Sequence, residues 1–326
     1  MIAMRADVMG YYKLAKDVRQ AGFFETEQHK RIFSQIRDAI RQGGLIVVTG
    51  MIGCGKTISL NRLTDNLSKD SRVVVSQPLW VEKGKYQVST IIEAIFYDLK
   101  NDKYVIPHGE QRERRLRTLI RSERKPVAVF IDEAHNLPIA TLKGLKHLVE
   151  TLNKGISPGC LSVILVGHPK LQNDLKRASM QEIGYRSSPF SLDGAIDGRR
   201  QFIEWLIEQT VQEGVSISDV FESEAIDLLA EKLVTPLQIV EHLNRAMEAG
   251  HAAGEKPVSA SIVTSVLSGV IEDLEATITR LGYDHKALAN LLNVSQGEAR
   301  QFLAGRLDSA RSADLHEQLL VVGLPI

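Results

Sequence analysis

The chain has 326 residues, length enough for two or three domains, and balances 40 Lys and Arg against 40 Asp and Glu with an ordinary apolar fraction of 44%, which places it among globular proteins. Zero net charge excludes attraction to polyanions through a global field, so any nucleic-acid contact has to come from local patches. No apolar run reaches the roughly 18–20 residues of a membrane span and residues 1–17 lack a signal-peptide core, so the expected location is cytoplasmic with no membrane partner; the two cysteines, Cys54 and Cys160, suggest neither a disulfide framework nor a zinc site.

In chain order, residues 45–49 form a short apolar, β-branched run that predicts a buried strand. It leads directly into Gly50-Met51-Ile52-Gly53-Cys54-Gly55-Lys56-Thr57, which fits G-x-x-x-x-G-K-[ST], followed by a predicted helix over 56–68. Glycines at 50, 53 and 55 let the backbone curl so that its N–H groups face phosphates, and Lys56 adds a point charge. Thr57 is expected to ligate Mg²⁺, and the helix N-terminus favours an anion there. A strand over 72–77 and a helix over 88–100 follow. A second apolar run, 127–131, ends in Asp132-Glu133-Ala134-His135; in an NTPase of this layout the first carboxylate is expected to help hold Mg²⁺ through water and the second, as base, to polarise the attacking water. A helix over 140–153 and a strand over 161–166 complete an alternation that predicts a parallel α/β sheet covered by helices. From Gly198 onward only helices are predicted: 199–213, 223–232, 236–249 and 259–267.

An α/β P-loop core followed by a small helical bundle resembles the AAA+ ATPases. Residues 20–270 look like the bacterial branch that contains the ExeA-type ATPases and the transposition regulators TniB, TnsC and the Mu phage B protein. The resemblance rests on Thr26-Glu27-Gln28-His29, the phosphate loop, Val129-Phe130-Ile131-Asp132-Glu133-Ala134-His135-Asn136-Leu137 and Leu165-Val166-Gly167-His168-Pro169-Lys170-Leu171. It implies ATP and Mg²⁺ as cofactors and a homo-oligomer, ring or helical filament.

The resemblance also assigns roles residue by residue. His168 falls where the family carries a polar sensor between the acids and the γ-phosphate, usually an amide. Arg186 best matches the arginine that one subunit inserts into its neighbour's site to stabilise charge on the transferring group; Arg177 is the alternative. The lid turn reads Val234-Thr235-Pro236-Leu237-Gln238, without the sensor arginine of many relatives, so either Arg245 substitutes or coupling relies on the subunit interface. In DNA-binding members the segment after the second strand faces the oligomer channel, which makes Lys83, Lys85 and Thr90 candidate phosphate contacts. Residues 110–125, with seven basic and three acidic side chains, are the other positive segment, read either as a solvated helix face or as a DNA contact.

Residues 285–303 resemble the helix-turn-helix of phage repressors: Ala289 at the helix crossing, Val294 in the core, Ser295 capping the second helix, and Gln296, Arg300 and Gln301 on the presented face. Residues 271–326 nevertheless carry eight acidic and five basic side chains, the wrong sign for phosphate binding. The expected organisation is an N-terminal segment 1–25, an AAA+ core 26–197, a helical lid 198–270 and a helix-turn-helix-like domain 271–326. The expected function is ATP-driven assembly on double-stranded DNA that regulates a transposase or target-selection protein, with hydrolysis driving disassembly. Two alternatives stay open, a nucleotide-switched helix-turn-helix transcription regulator and an ExeA-like secretion assembly ATPase.

Overall fold

The computed structural model describes residues 4–70, 72–78, 87–100, 106, 109–155, 159–177, 180–267, 274–322 and 324; the loop carrying Lys83 and Lys85 lies outside them. Five strands, β1 (Gly44–Thr49), β2 (Val74–Ser76), β3 (Val127–Ile131), β4 (Leu161–Gly167) and β5 (Ser187–Ser191), form one sheet in the order β2-β3-β4-β1-β5. Every pairing is parallel. Each parallel step needs a crossover, and the helices Lys56–Asp70, Val88–Lys100, Ile139–Asn153 and Pro169–Lys176 lie in the crossovers.

The period of two along each strand splits the core into two layers. Leu45 and Val47 of β1, Val127, Val129 and Ile131 of β3, and Val163 and Leu165 of β4 pack with Ile91, Ile95, Phe96 and Leu145. Their alternates, Ile46, Val48, Ala128, Phe130, Ile164 and Val166, face the other way onto Ile36, Ile40, Leu63 and Leu67. This is why β1, β3 and β4 read as unbroken apolar runs: both faces are covered.

β5 escapes the sequence reading because it is an edge strand, Ser-Ser-Pro-Phe-Ser, exposed along most of its length, a position where a strand proline is tolerated. The helix expected over 199–213 ends at Glu208. Beyond it the backbone is taken by the N-terminal segment: Ala15 N–H donates to the Thr210 carbonyl at 2.7 Å, and Gln212 N–H to the Lys13 carbonyl at 2.9 Å. Tertiary pairing there outcompetes helix propensity. Met4, Val8, Tyr12, Leu14 and Val18 are consequently buried in the same apolar cluster as Phe202, Ile226, Leu229 and Leu243 of the helices after β5.

The C-terminal part has helices Leu274–Arg280, His285–Leu292, Gln296–Leu303 and Ser309–Val321 around a core of Ile278, Tyr283, Leu288, Phe302 and Leu315. Helices His285–Leu292 and Gln296–Leu303 are joined through Asn293 in the left-handed conformation. Ala289 is buried between them, and the Ser295 hydroxyl caps the second helix by accepting from Glu298 N–H at 3.1 Å. Among the described residues no helix is long and apolar enough to cross a membrane.

Candidate nucleotide site

The carboxyl ends of three adjacent strands, β3, β4 and β1, converge at the crevice where parallel sheets of this kind bind ligands. The loop after β1 curls through Gly53 at φ +85° and Gly55 at φ +93°, conformations that favour glycine. A side chain at Gly53 would also collide with the lid, because its Cβ would stand 2.8 Å from Leu237 Cβ. Lys56 is only 7% exposed, and its ammonium donates to the Gly50 and Met51 carbonyls at 2.9 Å each. The Cys54 thiol is pushed up to about 11 by burial, so it is inert at neutral pH.

The second strand end brings the acids to the loop. The Thr57 hydroxyl donates to Asp132 Oδ2 at 3.0 Å, so the two oxygens assigned to Mg²⁺ already face one another. Glu133 N–H donates to Asp132 Oδ1 at 2.8 Å, and Glu133 holds a left-handed backbone with φ +54°. A non-glycine residue in that region is strained, a condition that concentrates at functional sites. Its carboxylate lies 3.5 Å from His135 Nε2. An oxygen pair for a hydrated divalent cation, a glycine-lined cradle and a lysine beside it fit Mg²⁺ and the phosphates of a nucleotide.

His168, at the end of β4, stacks on His135 with ring centroids 3.8 Å apart and planes inclined by 43°. Burial drives His135 down to about 4, assisted by the charges of Lys170 and Lys56. Burial likewise drives His168 down to about 3, assisted by His135, Lys56 and Lys170. Both rings are therefore neutral at neutral pH.

Three further elements close on the loop. Asp193, just past β5, accepts from Met51 N–H at 2.7 Å. The lid touches it through Leu237 N–H, which donates to the Gly53 carbonyl at 3.1 Å. Gln238, which together with Leu237 stands where the resemblance would put a sensor arginine, is used locally: its side-chain oxygen accepts from Thr235 N–H at 3.0 Å, completing a capping box. Arg245 pairs with Glu241 one turn back on its own helix. The C-terminal part docks on the same site, with Ile52 N–H donating to the Arg280 carbonyl at 2.9 Å and Lys170 N–H to the Leu281 carbonyl at 3.3 Å. Asn173 Nδ2 donates to the Tyr283 hydroxyl at 3.1 Å, and Met51 packs against the C-terminal core. A cavity of about 350 Å³ remains between the two, lined by His135, Lys170, Asp174, Arg177, Ala287 and Asn290.

The structure thus brings together Gly50, Gly53, Cys54, Gly55, Lys56, Thr57, Asp132, Glu133 and His168. Arg186 is elsewhere: it precedes β5, whose start pairs with the start of β1, so it stands at the sheet edge opposite the loop. There it is 60% exposed and ion-paired with Glu150. Arg177 lies on the site's own side, ion-paired with Asp174 at 3.2 Å. Thr90 is exposed in the first turn of Val88–Lys100. In the basic helix Glu110–Ser122, Leu116, Leu119 and Ile120 are buried while Arg114, Arg115 and Arg121 are exposed. Gln296, Arg300 and Gln301 are exposed on the second helix of the C-terminal pair. Asp193, Leu237 and the contacts of residues 280–283 carry no local sequence signal. His135 does, since it directly follows the acid pair.

Residues 37–175 match the family model described as an AAA domain. No curated protein matches the chain. Among solved structures, the chain is similar to the ORC2 protein of Aeropyrum pernix in its ADPNP–ADP complexes, with TM-score 0.58 and 14% identity over 95% of this chain and 91% of that one. It is also similar to Drosophila ORC bound to DNA, with TM-score 0.54 and 16% identity over 98% and 85%. Cdc6p from Pyrobaculum aerophilum aligns with TM-score 0.51 and 16% identity over 98% and 90%. At these identities the likeness is one of fold. The parallel sheet, the loop after β1 and the helical C-terminal region make a P-loop AAA+ fold.

Proposed function

We propose that this AAA+ chain is an Mg²⁺-dependent ATPase that oligomerises on double-stranded DNA with ATP and regulates a transposase or target-site selection, hydrolysis driving disassembly. The observation that carries the catalytic half is the convergence of Lys56, Thr57, Asp132, Glu133 and His168 at one end of the sheet. Bound ATP and Mg²⁺ supply the phosphoryl group and a charge-neutralising cation. The loop amides at residues 53–57 bind the phosphates, and Lys56 is the cation beside them. Thr57 and Asp132 orient the metal. Glu133 would take the proton of the attacking water, and His168 would be the polar sensor between the acids and the γ-phosphate.

Arg186, solvent-facing and at the opposite end of the sheet from its own loop, would act on a neighbouring copy, which would make turnover depend on assembly. The lid favours the same dependence, since Gln238 is spent on capping and Arg245 on Glu241. The DNA half of the reading draws on the fold shared with an ORC that was solved on DNA and on the exposed arginines of Glu110–Ser122. Lys83 and Lys85, from the segment before the helix Val88–Lys100, and Thr90, in its first turn, are proposed as contacts to the DNA backbone. The C-terminal helices, net negative and docked on the nucleotide site, suit communication with a protein partner better than reading of an operator. Electron microscopy of the full chain with an arbitrary duplex tests this. ATP is expected to give regular assemblies on the DNA and ADP none; assemblies independent of nucleotide, or confined to one DNA sequence, would overturn it.

A further inference from the structure

His135 and His168 together with Glu133 present a donor set that goes beyond the sensor role proposed for His168 alone. One ligand atom each from Glu133, His135 and His168 lies within 4.8 Å of the other two. Glu133 Oε2 and His135 Nε2 are 3.5 Å apart. A tetrahedral zinc ion with bonds of about 2.0–2.1 Å spaces its ligands about 3.4 Å apart, so closing the triad requires the two stacked rings to swing apart and converge on the ion. Each member is fixed by backbone. Glu133 holds a left-handed backbone conformation with φ +54°. His135 rides the short turn Ala134–Asn136, where Gly167 leaves room, since a Cβ there would stand 3.4 Å from His135 Nδ1. His168 is held from behind by Gly282, which has no side chain to displace it.

Among the described residues, Nδ1 of both imidazoles is buried without a hydrogen-bond partner. Buried polar atoms without partners are uncommon, and here they belong to two rings stacked on one another. Two imidazoles and one carboxylate with a fourth position open are a donor set for zinc and its neighbours in the transition series. Mg²⁺ prefers all-oxygen octahedral surroundings and is served instead by Thr57 and Asp132.

We propose that Glu133, His135 and His168 bind a divalent transition-metal ion of the zinc class, separate from the Mg²⁺ position, and that this ion inhibits hydrolysis by withdrawing Glu133 from the attacking water. The inhibitory half rests on the reading of Glu133 as the base; the binding half does not.

Metal-stripped full-length protein is titrated with Co²⁺, read by its tetrahedral visible absorption, and with Zn²⁺ against a chromogenic chelator. One ion per chain is expected, with affinity falling more than about tenfold in His135→Gln, His168→Gln and Glu133→Gln. ADP binding and circular dichroism confirm that each variant is folded. In the wild type, Zn²⁺ is expected to suppress turnover at saturating Mg²⁺ and a chelator to restore it, while the turnover left in His135→Gln ignores Zn²⁺. Binding that survives in the histidine variants, or the absence of a site in the wild type, overturns the proposal. Tight binding with zinc-insensitive turnover overturns its inhibitory half alone, and a chain that binds Co²⁺ at this site but never hydrolyses ATP refutes the ATPase reading and not the metal site.

Discussion

Replacing Gly282 by alanine should lift the C-terminal helices from the nucleotide site while leaving the sheet intact. Gly282 terminates the helix Leu274–Arg280: its N–H bonds the Thr279 carbonyl at 2.8 Å, and Tyr283 N–H bonds the Ile278 carbonyl at 3.1 Å, the paired bonds of a glycine-terminated helix. It does so at φ +91°, where a side chain costs about 1–2 kcal/mol. That strain is the same whether or not the domain is docked. The new Cβ, by contrast, would stand 2.7 Å from His168 Cβ and 3.1 Å from its Cγ, a clash that exists only in the docked arrangement. Overpacking of this kind typically costs about 1–3 kcal/mol, which converts to a rise of about 5- to 150-fold in the undocked fraction. Against it stand three hydrogen bonds of roughly 1 kcal/mol each and the cover on Met51. Hydrogen exchange reads the result at the amides of Ile52 and Lys170, whose acceptors are Arg280 and Leu281. They should exchange faster by that factor, with β1 and β4 amides unchanged. Unaltered protection at Ile52 and Lys170 in a folded variant would refute the docking argument.

Arg186→Ala should abolish turnover in pure oligomers yet be partly rescued when mixed with a Lys56→Ala chain, because an intact site can then meet an intact arginine; no rescue at any ratio moves the role to Arg177 or elsewhere. Replacing both Lys83 and Lys85 by alanine should flatten the dependence of log K on log salt by about 2, given roughly one released counterion per phosphate contact. An unchanged slope, measured by anisotropy titrations, directs attention to Arg114, Arg115 and Arg121. Thr235→Ala removes the cap on Gln238 N–H and should cost about 1 kcal/mol in denaturant unfolding; a loss within error means the lid helix is held by packing alone.

Where a local pattern decides the structure, the sequence is readable. The runs at 45–49, 127–131 and 161–166 need cover on both faces, and spacing alone places Lys56 and Thr57 at a helix start. β5 is invisible because an edge strand needs no apolar run and accepts Pro189. The end of the helix at Glu208 is invisible because it depends on residues 13–15, almost two hundred positions away. The same holds for the site. Thr57 and Asp132 carry motif signals, whereas Asp193 under Met51, Leu237 against Gly53 and Gly282 against His168 are long-range contacts that no periodicity encodes. The His135–His168 pair lies between these cases: both residues stand in readable motifs, but their stacking depends on the adjacency of β3 and β4.

The central claim, that this loop and these acids bind and hydrolyse ATP, is tested most directly by measuring nucleotide affinity and steady-state turnover together in the wild type, Lys56→Ala and Glu133→Gln. Lys56→Ala should lose binding and turnover alike. Glu133→Gln should bind ATP as the wild type does and lose turnover by two or more orders of magnitude, about 10²–10⁴-fold for removal of a general base. Loss of binding in both variants, or retained turnover in Glu133→Gln, would contradict the account.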